Sequence, residues 1–141
     1  MLQRSRNSLT AEKKPHVCIL EDDAAVRDSL RLMLERNGFS TRTFSSPNEF
    51  LMSREMDAYD CLIIDFGLPG MNGLELLELL RARTCWTPAI LIAASADAQT
   101  EPRMRKAGAS ELLMKPIAPD LLLTAIRKAA GRGLGQSAPR T

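Results

Sequence analysis

Apolar residues fall along this chain in two rhythms. The runs VCIL (17–20), CLII (61–64) and AILIA (89–93) are uninterrupted, as strands covered on both faces of a parallel sheet are. Between them the apolar positions space out. Val26, Leu30, Met33 and Leu34 stand at offsets 0, 4, 7 and 8, one face of an amphipathic helix. Asp23 is placed to cap that helix and Gly38, after Asn37, to stop it. A weaker strand follows at 40–44, then a helix that opens near Ser46-Pro47 and includes Phe50 and Leu51. The run at 61–64 ends abruptly in Asp65 and gives way to FGLPGMNG, a loop dense in turn residues. Asn72 with Glu75 resembles a capping box for a helix over about 74–83. After the strand at 89–93, Thr100-Glu101-Pro102 predicts a short helix that starts late, because proline inside a longer one would break it. A strand at 112–114 and a helix opening at Pro119-Asp120 and stopping at Gly131 complete the series. Strands alternating with helices in this way predict a parallel sheet with helices on both faces.

A chain of 141 residues fits one domain of this kind, and 45% apolar with 26% charged residues is the composition of a globular protein. The longest apolar run, 89–94, is six residues, against the roughly 18 to 20 a membrane-spanning helix needs. The first fourteen residues lack the apolar stretch of a secretory signal, so a cytoplasmic protein is expected. Cys18, Cys61 and Cys85 have no metal-site spacing and are expected to be reduced, buried, small apolar side chains. The net charge of +2 conceals a division: residues 1–14 carry +3 and residues 127–141 carry +4, leaving −5 on 15–126. An acidic body with basic ends argues against direct nucleic-acid binding, which calls for a basic face on the folded domain. Residues 1–15 are expected to be a disordered tail, and residues 131–141, rich in Gly, Pro, Ser and Arg, a disordered tail or a linker.

In an open parallel sheet, ligands bind beyond the carboxyl ends of the strands. The residues at those ends are Glu21 and Asp22, then Asp65, then Lys115. Three carboxylates drawn together repel one another unless a cation sits among them, and an all-oxygen donor set suits Mg²⁺. With Mg²⁺ and the Lys115 ammonium the formal charge cancels to zero before any phosphoryl group arrives. Such a site can receive a phosphoryl group on a carboxylate, with Asp65 attacking in line and Lys115 pairing with a transferring oxygen. Asp23 is read as a helix cap, and His16, without a ligand companion, is not a catalytic candidate.

The chain reads LEDDAAVRDSL at 20–30, NGF at 37–39, DxxxPGMNG from Asp65 to Gly73, KAGA from Lys106 to Ala109 and MKP from Met114 to Pro116. In that order and spacing it resembles the receiver domain of two-component response regulators, from about His16 to Ala130, and looks most like the receiver of nitrogen-fixation transcriptional regulators. The resemblance implies that Asp65 is the phosphoacceptor and that Asp22 ligates Mg²⁺ directly, with Glu21 assisting through water. It also implies that the Gly67 backbone carbonyl is a ligand, that Lys115 contacts the phosphoryl group and that the Lys115–Pro116 bond is cis. Two positions depart from the family. Where it carries a Thr or Ser hydroxyl, 28 residues after Asp65, this chain has Ala93, and where its switch has an aromatic, three residues before the lysine, it has Leu112. The backbone amide of Ala94 remains to bind one phosphoryl oxygen. Ser95 would face the same way as Ala93 if the strand extended that far.

The reading is an α/β protein with a doubly wound, five-stranded parallel sheet of order 2-1-3-4-5, the flavodoxin-like receiver fold over 16–130. It is a phosphoacceptor rather than an enzyme, assisting its own phosphorylation and dephosphorylation with Mg²⁺. The phosphoryl donor is the phosphohistidine of a sensor histidine kinase or a histidine phosphotransfer protein. A downstream protein can meet the surface of the fourth helix, fifth strand and fifth helix, where Arg103, Arg105 and Lys106 cluster, and a monomer or weak homodimer is expected. Ala93 and Leu112 favour an alternative, a phosphorylation-independent interaction module of the same fold. A small-molecule or flavin binder lacks the Gly-rich or Ser/Thr-rich first loop it would need.

Overall fold

The computed structural model describes residues 14–135. Five strands, β1 (His16–Leu20), β2 (Ser40–Phe44), β3 (Cys61–Asp65), β4 (Ala89–Ala93) and β5 (Glu111–Met114), form one parallel sheet in the order β2-β1-β3-β4-β5. The helices are α1 (Ala24–Arg36), α2 (Pro47–Ser53), α3 (Gly73–Ala82), α4 (Thr100–Lys106) and α5 (Pro119–Gly135). The α/β architecture and strand order read from the sequence are those observed.

The uninterrupted apolar runs have a direct cause. Successive side chains of a strand point to opposite faces, and here both faces are covered. Cys18, Leu20, Leu62, Ile64, Ala89 and Leu91 pack with residues of α2, α3 and α4. Val17, Ile19, Cys61, Ile63, Ile90 and Ile92 pack with residues of α1 and α5. The three cysteines are free and buried. The helical face predicted from spacing is also the one buried: Leu30 and Leu34 lie in the core, with Val26 and Met33 against it.

The helix ends follow their local chemistry. Asp23 Oδ1 accepts from the amides of Ala25 and Val26 at 2.9 and 3.1 Å, and Ser46 Oγ from Glu49 N at 3.1 Å. Asn72 and Glu75 close a reciprocal box, at 2.8 and 3.0 Å. Gly38 ends α1 at φ +92°, a conformation that suits glycine. Pro102 falls in the first turn of α4, where its missing amide leaves no helical bond unmade.

One helix end differs from expectation. The last helix does not stop at Gly131 but runs to Gly135. Glycine weakens a helix by about 1 kcal/mol relative to alanine without terminating it, and Ala129 and Ala130 remain buried just before it. Residues 131–135 are therefore helix rather than tail. The rest of the expected tails, 1–13 and 136–141, lies outside the described residues. β4 ends at Ala93, as its apolar run predicts, so Ser95 is not in the strand. Among the described residues, no helix is long and apolar enough to cross a membrane.

One close approach sets the position of α3 against β3. A Cβ on Gly73 would lie 2.5 Å from the Asp65 carbonyl oxygen and 2.9 Å from Ile64 Cγ2, while the Gly73 amide donates to Phe66 O at 2.9 Å. Only a residue without a side chain lets the helix start this near the strand. Gly73→Ala is expected to cost about 2 kcal/mol through overpacking against backbone that has little freedom to move. Urea unfolding of both proteins measures the difference, and equal midpoints would show that α3 can shift without penalty.

Candidate functional site

The sheet order sets β1 beside β3, so the residues ending these two strands become neighbours. Glu21 follows β1 and Asp65 closes β3, and both are buried, at 2% and 6% exposure. Asp22 is exposed. One carboxylate oxygen from each of the three acids lies within 4.8 Å of the others. Lys115, just after β5, reaches the same place: its Nζ stands 3.3 Å from Glu21 Oε1 and 3.3 Å from Asp65 Oδ1. The four residues singled out from the strand ends are thus together in space.

Backbone contacts fix the loops that carry these groups. The Glu21 amide donates to Phe44 O at 3.1 Å, and the Asp23 amide to Glu21 Oε2 at 3.2 Å. Lys115 N donates to Ala93 O at 2.8 Å, and Phe66 N to Ile92 O at 2.7 Å, which ties the residues after β3 and β5 to the end of β4. The peptide bond from Lys115 to Pro116 is cis. Gly67 lies beside the acids: a Cβ there would stand 3.9 Å from Asp65 Oδ2.

Crowding shows in the protonation equilibria. Burial first, and then the charge of Asp65, push the Glu21 carboxyl above its ordinary range, against the pull of the Asp23 amide and Lys115. For Lys115, burial is the largest single effect and lowers the ammonium's pKa. Glu21 and Asp65 together outweigh it, so the net direction is upward and the side chain stays charged.

An oxygen-only cluster of three carboxylates with its own counter-cation has the donor chemistry for Mg²⁺. Glu21, Asp22 and Asp65 fit that ion.

Other residues singled out from the sequence fall as follows. Ala93 is the last residue of β4 and 1% exposed, without a hydroxyl, and Ala94 beyond it is exposed. Ser95 is exposed and outside the strand. Leu112 is half-buried against the core on the α4 side. Of the basic residues on α4, Arg103 pairs with Glu78 at 3.0 Å and Arg105 with Glu101 at 2.8 Å. His16 lies at the start of β1, its Nδ1 2.8 Å from Ser40 Oγ. Arg27 was not singled out, yet its Nη1 donates to the carbonyl oxygens of Glu21 at 2.8 Å and Asp22 at 3.4 Å. A contact between a side chain and carbonyls leaves no composition or periodicity signal.

Comparison with known proteins identifies the family and the fold. Residues 17–127 match the response regulator receiver domain family. The transcriptional regulatory protein FixJ of Bradyrhizobium diazoefficiens is 32% identical over 116 residues, covering 82% of this chain and 57% of that protein. The chain therefore spans a little over half the length of that relative. Among solved structures, the response regulator StyR superposes with a TM-score of 0.81 at 37% identity, over 87% of this chain and 62% of that one. FixJ-N superposes with a TM-score of 0.75 at 30% identity, over 84% and 95%.

The raised pKa of Glu21 has a consequence for stability. A carboxyl that binds its proton more tightly when folded supports the fold below the ordinary carboxylate range, and that support is lost as pH rises through its folded value. Glu21→Gln is therefore expected to stabilise the metal-free domain by about 1 kcal/mol at neutral pH. The gain should shrink as pH falls toward the carboxylate range. Urea unfolding in EDTA at two pH values tests it; a less stable variant at neutral pH would mean that the Lys115 pairing outweighs the crowding.

Proposed function

The chain belongs to the response regulator receiver domain family, and from that premise we propose that it accepts a phosphoryl group on Asp65 from a phosphohistidine donor. One observation carries the reading: Glu21, Asp22 and Asp65 gather within 4.8 Å while Lys115 stands 3.3 Å from two of them. So costly a grouping of like charge is what a phosphoryl-transfer site requires and what a plain interaction module has no need to keep.

An Asp65 carboxylate oxygen attacks phosphorus in line, the donor imidazole leaves, and an aspartyl phosphate forms. Lys115 exchanges a carboxylate partner for a phosphoryl oxygen, and the Ala94 amide donates to another. Asp22, Asp65 and the Gly67 carbonyl would hold Mg²⁺, with Glu21 assisting. Bound there, the ion supplies neutralisation of the phosphoryl charge. The donor is a sensor histidine kinase or a histidine phosphotransfer protein. The face of α4, β5 and α5 offers Met114 and Leu121, large apolar side chains at 45% and 62% exposure, to a downstream protein.

Ala93 separates the chemistry from its readout. Every charged group of the phosphoryl site is present, but the end of β4 has no hydroxyl to follow the phosphoryl oxygens. A ligand shifts an equilibrium only by its differential interaction with the two states, so phosphorylation should move α4 and β5 less than a hydroxyl-bearing site would.

Intact-mass measurement after incubation with acetyl phosphate tests the acceptor role. One phosphoryl group is expected with Mg²⁺, none with EDTA and none in Asp65→Asn; a gain that survives either change overturns the reading, and no gain at all leaves the phosphorylation-independent module. For the readout, Ala93→Thr should add a state-dependent hydrogen bond of about 1.5 to 3 kcal/mol. Amide hydrogen exchange in α4 and β5, with and without a phosphoryl mimic, should then respond more strongly than in the native chain. A large response already present in the native chain and unchanged by the substitution would show that another donor does the work.

A further inference from the structure

We infer that Arg27 is a positioning residue for the acidic site, acting on the backbone of the Glu21–Asp22 segment and raising the affinity of the cluster for Mg²⁺ despite carrying a positive charge itself. This rests on the reading of Glu21, Asp22 and Asp65 as the ion's donors.

The three acids are not held alike. Glu21 has Lys115 on Oε1 and the Asp23 amide on Oε2. Asp65 has Lys115 on Oδ1 and sits at the end of a central strand. Asp22 is exposed, and among the described residues its carboxylate has no hydrogen-bond or ion-pair partner. Its placement therefore depends on the backbone that carries it. That backbone leaves β1 at Leu20 and enters α1 at Ala24, and two side chains brace it. Asp23 caps the helix. Arg27, one turn into α1, reaches back so that a single nitrogen, Nη1, donates to the carbonyls of Glu21 and Asp22.

Among the described residues Arg27 makes no ion pair, whereas Arg31 of the same helix pairs with Glu35 at 3.1 Å and stands 3.9 Å from Asp28. A cation spent on carbonyls beside an acidic cluster should, by charge alone, repel a metal ion. Holding the donors in place acts in the opposite sense, since a preorganised site loses less freedom on binding. The two effects thus predict opposite signs, and a hydrogen bond from a charged group is the stronger kind.

Calorimetric titration of the native chain, Arg27→Gln and Arg31→Gln with MgCl₂ decides between them. Arg27→Gln is expected to weaken Mg²⁺ binding about tenfold. Arg31→Gln, which removes the same charge from the same helix, should leave binding unchanged or slightly tighter. In acetyl phosphate reactions, Arg27→Gln should raise the Mg²⁺ concentration for half-maximal rate while the rate at saturating Mg²⁺ stays near native. If Arg27→Gln does not fold by circular dichroism, Arg27→Lys, which keeps the charge and loses the planar fork, carries the test and should also weaken binding. Unchanged or tighter binding in the folded Arg27 variant overturns this inference alone. Absence of Mg²⁺ binding by the native chain overturns the reading of the site as well.

Discussion

Three carboxylates within 4.8 Å are an electrostatic constraint before they are a site. Each gains something from the others' neutralisation and nothing from their company. The protein meets the constraint with one ammonium: Lys115 arrives from β5, on the far side of β4, and places Nζ at 3.3 Å from the two buried acids. Strand order matters for this reason. Only with β1 beside β3 do Glu21 and Asp65 meet, and only with β5 in parallel register on β4, where Ala93 pairs with Met114, does the next residue come out at the same edge.

Around that cluster the molecule is fixed unevenly. Gly73 seats α3 against the Asp65 carbonyl. At the other end of α3, Arg81 donates to the carbonyls of Cys85, Thr87, Ala107 and Gly108, so one half-buried cation joins the end of α3, the approach to β4 and the end of α4. The amino end of α4 is held differently: Gln99 makes no side-chain cap bond, and Asp97 accepts from the amides of Gln99 and Thr100 and from the Thr100 hydroxyl. Residues 94–99, which begin at the proposed Ala94 contact, are all exposed. Fewer buried contacts mean lower local stability, so the backbone between the site and α4 is lightly held.

Much of this was legible in the sequence because it rests on local rules. Continuous apolar strands require two covered faces, and Asp23, Ser46 and Asn72 cap helices through their own neighbours. The strand-end acids and Lys115 were legible because topology alone brings them to one edge. Gly131 misled because a glycine stops a helix only where the backbone turns left-handed, as Gly38 does and Gly131 does not. Arg27 and Arg81 were illegible for another reason: both act on backbone carbonyls, and a carbonyl belongs to every residue type, so no pattern of side chains marks its partner.

The same distinction bears on Ala93. Groups that hold charge at the site come from the ends of β1, β3 and β5, whereas the group that would report a phosphoryl oxygen to α4 belongs to β4 and is a methyl. Loss of a hydroxyl there removes no charge and leaves no buried polar atom unpaired, so it need not disturb the chemistry. Beyond it, Ser95 lies outside the strand and Leu112 offers no polar atom on its side chain. On the proposed reading, what remains to convey phosphorylation is the backbone itself: the Ala94 amide at the start of the exposed segment, and the Lys115 amide bonded to Ala93 O. Those amides border the exposed segment 94–99, and beyond it the far end of α4 is held by a charged side chain, where Arg81 donates to the Ala107 and Gly108 carbonyls.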